Sequence, residues 1–104
     1  MSLRRLGQRI GVRPDRIEEY ERLHAAPWPG VLEQIRRSNI RNYTIFRDGD
    51  RMFGYFEADD LAAAGRYLAQ QDVSTRWQDA MAELLESRVP DGGPPALDEI
   101  FRLE

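Results

Sequence analysis

Apolar and polar residues alternate from Leu3 to Val12, with Leu6, Gln8, Ile10 and Val12 on one side and Arg5, Gly7, Arg9 and Gly11 on the other. That period of two predicts a strand. Pro14 and Asp15 interrupt it, and from Arg16 to Ala25 the pattern becomes helical. Ile17, Tyr20 and His24 recur at i, i+3 and i+7 with Leu23 beside them, while Glu18, Glu19, Glu21 and Arg22 face outward. Pro27-Trp28-Pro29 stops this helix, because proline lacks an amide donor and restricts the residue before it. A second helical piece follows over Gly30–Ser38, with Val31, Leu32 and Ile35 inward.

Two aromatic-rich strands, Ile40–Arg47 and Arg51–Glu57, flank Asp48-Gly49-Asp50, a hairpin signal. Asp59 or Asp60 then caps a helix carrying Leu61, Ala64, Gly65 and Leu68 on one stripe. Ser74 or Thr75 begins another, with Trp77, Met81, Leu84 and Leu85 at helical spacing. Pro90 to Pro95 reads as an irregular connection, and Leu97 to Leu103 as a closing strand. The order is β-α-β-β-α-β with both helical regions broken in two. It predicts a ferredoxin-like α+β fold: a four-stranded antiparallel sheet with helices on one face. Two such chains can cover each other's bare sheet faces, so the expected assembly is a homodimer of the dimeric α+β barrel type.

Composition narrows the chemistry. The chain has 104 residues, enough for a single domain over 1–104. It contains no cysteine and one histidine, which excludes disulfides, a cysteine nucleophile and zinc sites built on thiolates or several histidines. Fifteen basic against eighteen acidic residues give a net charge of -3 with the signs interspersed, so no nucleic-acid partner is expected. No apolar run reaches the length of a membrane span and no secretory signal is visible, so neither a membrane partner nor export is expected. A cytoplasmic protein is the expectation.

His24 is the side chain whose ordinary titration lies near neutrality. Tyr20, four residues earlier, projects from the same helical face. The pair has two readings: a proton-transfer site, or a helix-end histidine bound to last-turn carbonyls beside a packed tyrosine. Trp77 and Tyr43 are also open to two readings. Each is a core aromatic by spacing, yet aromatic faces also pack on sugar C–H groups, and indole and phenol add a directional donor.

Taken in order, these motifs resemble the L-rhamnose mutarotase family of the RhaM type. The resemblance rests on the Glu-Tyr-Xaa-Xaa-Xaa-His helix at 19–24, the Trp28-Pro29 stop and the Asn42-Tyr43 strand. It continues through Asp-Val-Xaa-Xaa-Arg-Trp at 72–77 and the closing Leu97-Asp98-Glu99-Ile100-Phe101-Arg102-Leu103, so it spans Leu6 to Leu103. It implies a homodimeric ferredoxin-like domain in which His24 is the catalytic proton donor and Tyr20, Tyr43 and Trp77 contact the sugar. Some members carry two adjacent tryptophans where this chain has Trp77-Gln78. Gln78 can hydrogen-bond a hydroxyl but offers no stacking face.

The implied reaction interconverts the α and β anomers of L-rhamnose or a related 6-deoxy sugar. It requires a proton for the ring oxygen and removal of one from the anomeric hydroxyl, with no cofactor or metal. A carboxylate or a water could serve as the complementary base. The alternative is a non-catalytic sugar-binding or sensor domain on the same fold. A cofactor-free monooxygenase would rest on fold analogy alone.

Overall fold

The computed structural model describes residues 4–86 and 96–103. Four strands form one antiparallel sheet in the order β2-β3-β1-β4. They are β1 (Arg4–Gly11), β2 (Ile40–Asp48), β3 (Arg51–Ala58) and β4 (Ala96–Leu97). Between β1 and β2 run a short 3-10 turn (Pro14–Arg16) and helices α1 (Ile17–Ala25) and α2 (Val31–Arg37); after β3 come α3 (Leu61–Ala69) and α4 (Asp72–Ala82). This is the expected ferredoxin-like order.

The strands explain where the core lies. Along β3 the buried positions Met52, Gly54, Phe56 and Ala58 alternate with less covered Phe53, Tyr55 and Glu57. Ile10, Val12 and Met52 from the inner side join Tyr20, Val31, Trp77 and Met81 from the helices in one cluster. Helices α1, α2 and α4 therefore lie over this face, and α3 joins them there through Gly65 and Leu68, which line a cavity with Ile40 and Ile45. The other face presents Phe46, 65 % exposed, opposite Phe53 in register. The hairpin turns through Gly49 at φ 64, a backbone region where glycine meets no Cβ penalty.

The β2–β3 register slips between Arg41 and Thr44, where Asn42 adopts φ 54. Asn42 and Tyr43 together oppose Phe56, a β-bulge. Strict alternation would send Ile40 and Tyr43 to opposite faces. The extra residue instead turns Ile40, Tyr43 and Ile45 all toward the helices, where they line one cavity.

Several boundaries differ from expectation. Asp60, not Asp59, caps α3: its side chain accepts from the Ala63 N–H at 3.0 Å, while Asp59 pairs with Arg41 at 3.5 Å. Helix α4 starts at Asp72, ahead of Ser74, because the extended Gln71 already accepts the Thr75 N–H at its carbonyl. The same helix ends at Ala82, so Leu84 and Leu85 are buried by another route. They turn back toward the end of β1, where Leu84 O accepts the Arg13 N–H at 2.8 Å and Leu85 bridges Val12. Leu32, expected inward, is largely exposed and stands on the cavity wall.

The closing strand is shorter than expected. Only Ala96 and Leu97 pair with β1, and 98–103 run without regular structure. Beyond Leu97, Glu99 still reaches Arg5 at 3.2 Å, but backbone pairing has stopped. Ile100, Phe101 and Leu103 are 94, 80 and 85 % exposed. Leu3 and the Pro90–Pro95 connection lie outside the described residues. Among the described residues no helix is long and apolar enough to cross a membrane.

Candidate functional site

The site starts on the last turns of α1. Residues four apart stand above one another on a helix, and the Tyr20 and His24 rings stack with centroids 4.2 Å apart and planes 28° from parallel. His24 Nδ1 lies 2.8 Å from the Tyr20 carbonyl oxygen. A carbonyl can only accept, so this bond assigns the proton of neutral imidazole to Nδ1 and leaves Nε2 to gain or give a proton. Thus the helix-end contact and the proton-transfer reading are compatible: the backbone bond occupies Nδ1 and leaves Nε2 free of it.

Helix α4 supplies the other side. Trp77 meets His24 at 5.6 Å, edge to face, and Trp28 from the proline-flanked stop meets Trp77 at 5.1 Å with planes 86° apart. The imidazole is therefore held between a phenol ring and an indole. Trp77 is 7 % exposed and belongs to the core, as its spacing predicts, and it also lines the cavity.

A cavity of about 810 Å³ opens beside this cluster, and His24, Tyr43, Trp77 and Gln78 all line it. Four of the five residues expected to form the site thus meet at one cavity. Tyr20, 5 % exposed, stands behind the imidazole rather than on the wall. Its position suits orienting His24 better than touching a ligand.

Burial pushes the Tyr20 phenol well above its ordinary pKa, with a smaller contribution from the nearby Tyr43 phenol. Tyr43 is also raised, by burial. Its residue surface is 43 % exposed overall, so the desolvation acts on the inward hydroxyl end rather than on the whole ring. The ring itself leans on Phe56, centroids 5.3 Å apart. Both phenols stay neutral at physiological pH and can donate hydrogen bonds; neither is suited to act as a base.

The cavity includes residues that the sequence did not mark as site residues. Asn42 lies on its wall through the bulge, a feature that hydrophobic alternation does not encode. Ser74 lies there too, and its spacing from Trp77 and Gln78 was the available signal: i−3 and i−4 share one helical face. Asp79 and Arg36 provide a carboxylate and a guanidinium on the wall. Arg76 instead pairs with Asp72 at 2.9 Å and is not among the lining residues. Among the described residues, no three histidine, aspartate or glutamate side chains group as a metal site.

The cavity therefore combines one orientable proton-transfer group, two neutral phenols with one on its wall, aromatic surface and amide or hydroxyl donors. Such a set suits a small polyhydroxylated ligand whose protons must move. Comparison with known proteins gives the same direction. Residues 5–103 match the family model described as L-rhamnose mutarotase. The chain is 36 % identical over 99 residues to the L-rhamnose mutarotase of Pectobacterium atrosepticum, covering 91 % of this chain and 93 % of that one. It is 37 % identical over 102 residues to that of Burkholderia cenocepacia, covering 92 % and 94 %. The fold superposes on the crystal structure of an L-rhamnose mutarotase from Formosa agariphila with a TM-score of 0.75 at 23 % identity, over 97 % of this chain and 99 % of that one. The chain belongs to the L-rhamnose mutarotase family, a family of carbohydrate isomerases.

Proposed function

We propose that this chain interconverts the α and β anomers of L-rhamnose or a related 6-deoxy sugar, using His24 for proton transfer and no cofactor. The observation that carries the reading is His24 on the cavity wall, its Nδ1 committed to the Tyr20 carbonyl and its Nε2 left for chemistry. Protonated Nε2 donates to the ring oxygen while the anomeric hydroxyl loses its proton. The bond from the anomeric carbon to the ring oxygen breaks, and that carbon becomes a carbonyl. Rotation presents its other face, and closure reverses both transfers.

Asp79 lies two positions past Trp77, about 200° around α4 from the residue that touches His24. In this scheme a water molecule is the complementary base. Tyr20 orients the imidazole from behind, Tyr43 donates to a sugar oxygen, Trp77 offers apolar surface, and Gln78 hydrogen-bonds a hydroxyl.

The same proposal includes a cytoplasmic homodimer of single-domain chains. Exposed Phe46 and Leu97 on the outer sheet face, with exposed Ile100, Phe101 and Leu103, support pairing because a second copy would cover these apolar side chains.

Saturation-transfer NMR measures α-to-β exchange directly. Exchange of L-rhamnose anomers faster than in buffer is expected. Exchange at the buffer rate for both rhamnose and fucose would contradict the enzyme reading, and sugar binding without acceleration would favour a binding domain.

A further inference from the structure

Two polar residues among those described are buried, Ser38 and Ser74, and they differ in one respect. The Ser38 hydroxyl donates to the Ile35 carbonyl at 2.6 Å. Ser74 Oγ has no hydrogen-bond partner although it is covered from solvent and its residue is 9 % exposed. Four residues before Ser74 stands Gln70, which caps the end of α3, so Ser74 has no α4 carbonyl one turn back. Thr75, next in the chain, donates its own hydroxyl to the Gln71 carbonyl one turn back, at 3.2 Å.

A buried hydroxyl without a partner lowers stability, so its presence calls for an explanation. Its place supplies one. Ser74 lies on the cavity wall with Trp77 and Gln78, in the first turn of α4. Gln78 is one turn further along, on the same helical face. Oγ is covered as it stands, and rotation about the Cα–Cβ bond, which carries Oγ to a new position, breaks no hydrogen bond because Oγ makes none. A sugar hydroxyl both donates and accepts, and so matches a serine hydroxyl in either direction.

We propose that Ser74 is a specificity-determining residue: its hydroxyl is left unpaired in the free chain and pairs with one hydroxyl of the bound sugar. Together with Gln78 it forms a polar ledge beside Trp77. This rests on the anomer-exchange reading only in taking a sugar as the ligand. A hydroxyl-bearing substrate gains a hydrogen bond and relieves an unsatisfied group in the same step. A sugar lacking that hydroxyl gains neither.

The test crosses Ser74→Ala with sugar analogues, reading binding through quenching of tryptophan fluorescence. The probes are L-rhamnose and its 2-, 3- and 4-deoxy analogues. The original chain is expected to bind one analogue about three- to tenfold more weakly than rhamnose. Ser74→Ala is expected to weaken rhamnose by a similar factor, yet to bind that analogue as the original chain does. The melting temperature of the sugar-free variant should equal or exceed the original. Additive effects for every analogue, or a melting temperature lowered by several degrees, would overturn the assignment. Failure of the original chain to bind any of these sugars would overturn both this assignment and the anomer-exchange reading. Binding without accelerated exchange would sink only the enzyme reading, and the same crossed comparison would still judge Ser74.

Discussion

The two faces of the sheet are built from the same strands but differ in how far one chain completes them. On the inner face, Met52, Phe56, Ile10 and Val12 are covered by the chain's own helices. On the outer face, Phe46 stands exposed beside a polar lattice in which Asn42 and Tyr55 donate to Glu57 and Arg5 pairs with Glu99. Those bonds hold the Glu57 carboxyl below its usual range, the Tyr55 hydroxyl contributing most and Asn42 next. The inner face thus supplies stability and the cavity; the outer face is suited to a second copy. A mutation should report which role its face performs.

The largest stability effect belongs inside. Leu84 is 1 % exposed and closes the core where the chain leaves α4. Leu84→Ala is expected to cost about 2–5 kcal/mol in denaturant unfolding, since it removes buried methyl groups and leaves a void. A smaller cost falls on the bulge, where Asn42 at φ 54 joins the two faces. Asn42→Ala should cost about 1 kcal/mol, because alanine tolerates that backbone poorly. Asn42→Gly should recover much of it. Exchange activity should fall with Asn42→Ala as Tyr43 loses its aim, and an unchanged rate would separate the bulge from the site.

A titration gives a subtler inner-face signal. Burial raises Tyr20, so the fold favours its neutral phenol. In the unfolded chain tyrosine ionises near pH ~10. Its stabilising contribution is therefore intact below that value and is lost as pH rises toward the higher folded pKa. The melting temperature should drop above pH ~10, and less steeply in Tyr20→Phe. The smallest effect on the single chain's own stability belongs outside. Phe46→Glu should change it by less than about 0.5 kcal/mol, as surface substitutions do. It should nevertheless shift light-scattering mass toward the monomer. A large loss of stability at constant monomer mass would contradict the division between faces.

Much of this organisation is legible in the sequence because it depends on periodicity. Period two in β1 and β3 separated the faces, and the i, i+4 spacing brought Tyr20 to His24. The hairpin followed from Gly49. What escaped depends on particular long-range partners. Nothing in alternation announces that Asn42 adds a residue to β2, yet that addition places both Ile40 and Tyr43 on the cavity. Leu84 and Leu85 kept helical spacing after the helix had ended, because Arg13 and Val12 offered strand-like partners 71 and 73 residues away in sequence. The closing strand shortened for the opposite reason: its apolar alternation continues past Leu97, but backbone pairing within the chain does not. Ser74 looked like a helix start and proved to be an unpaired hydroxyl in the first turn, a property that only a completed set of hydrogen bonds reveals.

The central claim is that His24 moves the proton, and saturation-transfer NMR on L-rhamnose with His24→Ala tests it most directly. The variant should remain folded, since His24 is only partly buried, while exchange falls about 100-fold or more. A folded His24→Ala protein that exchanges the anomers at the original rate would contradict the account.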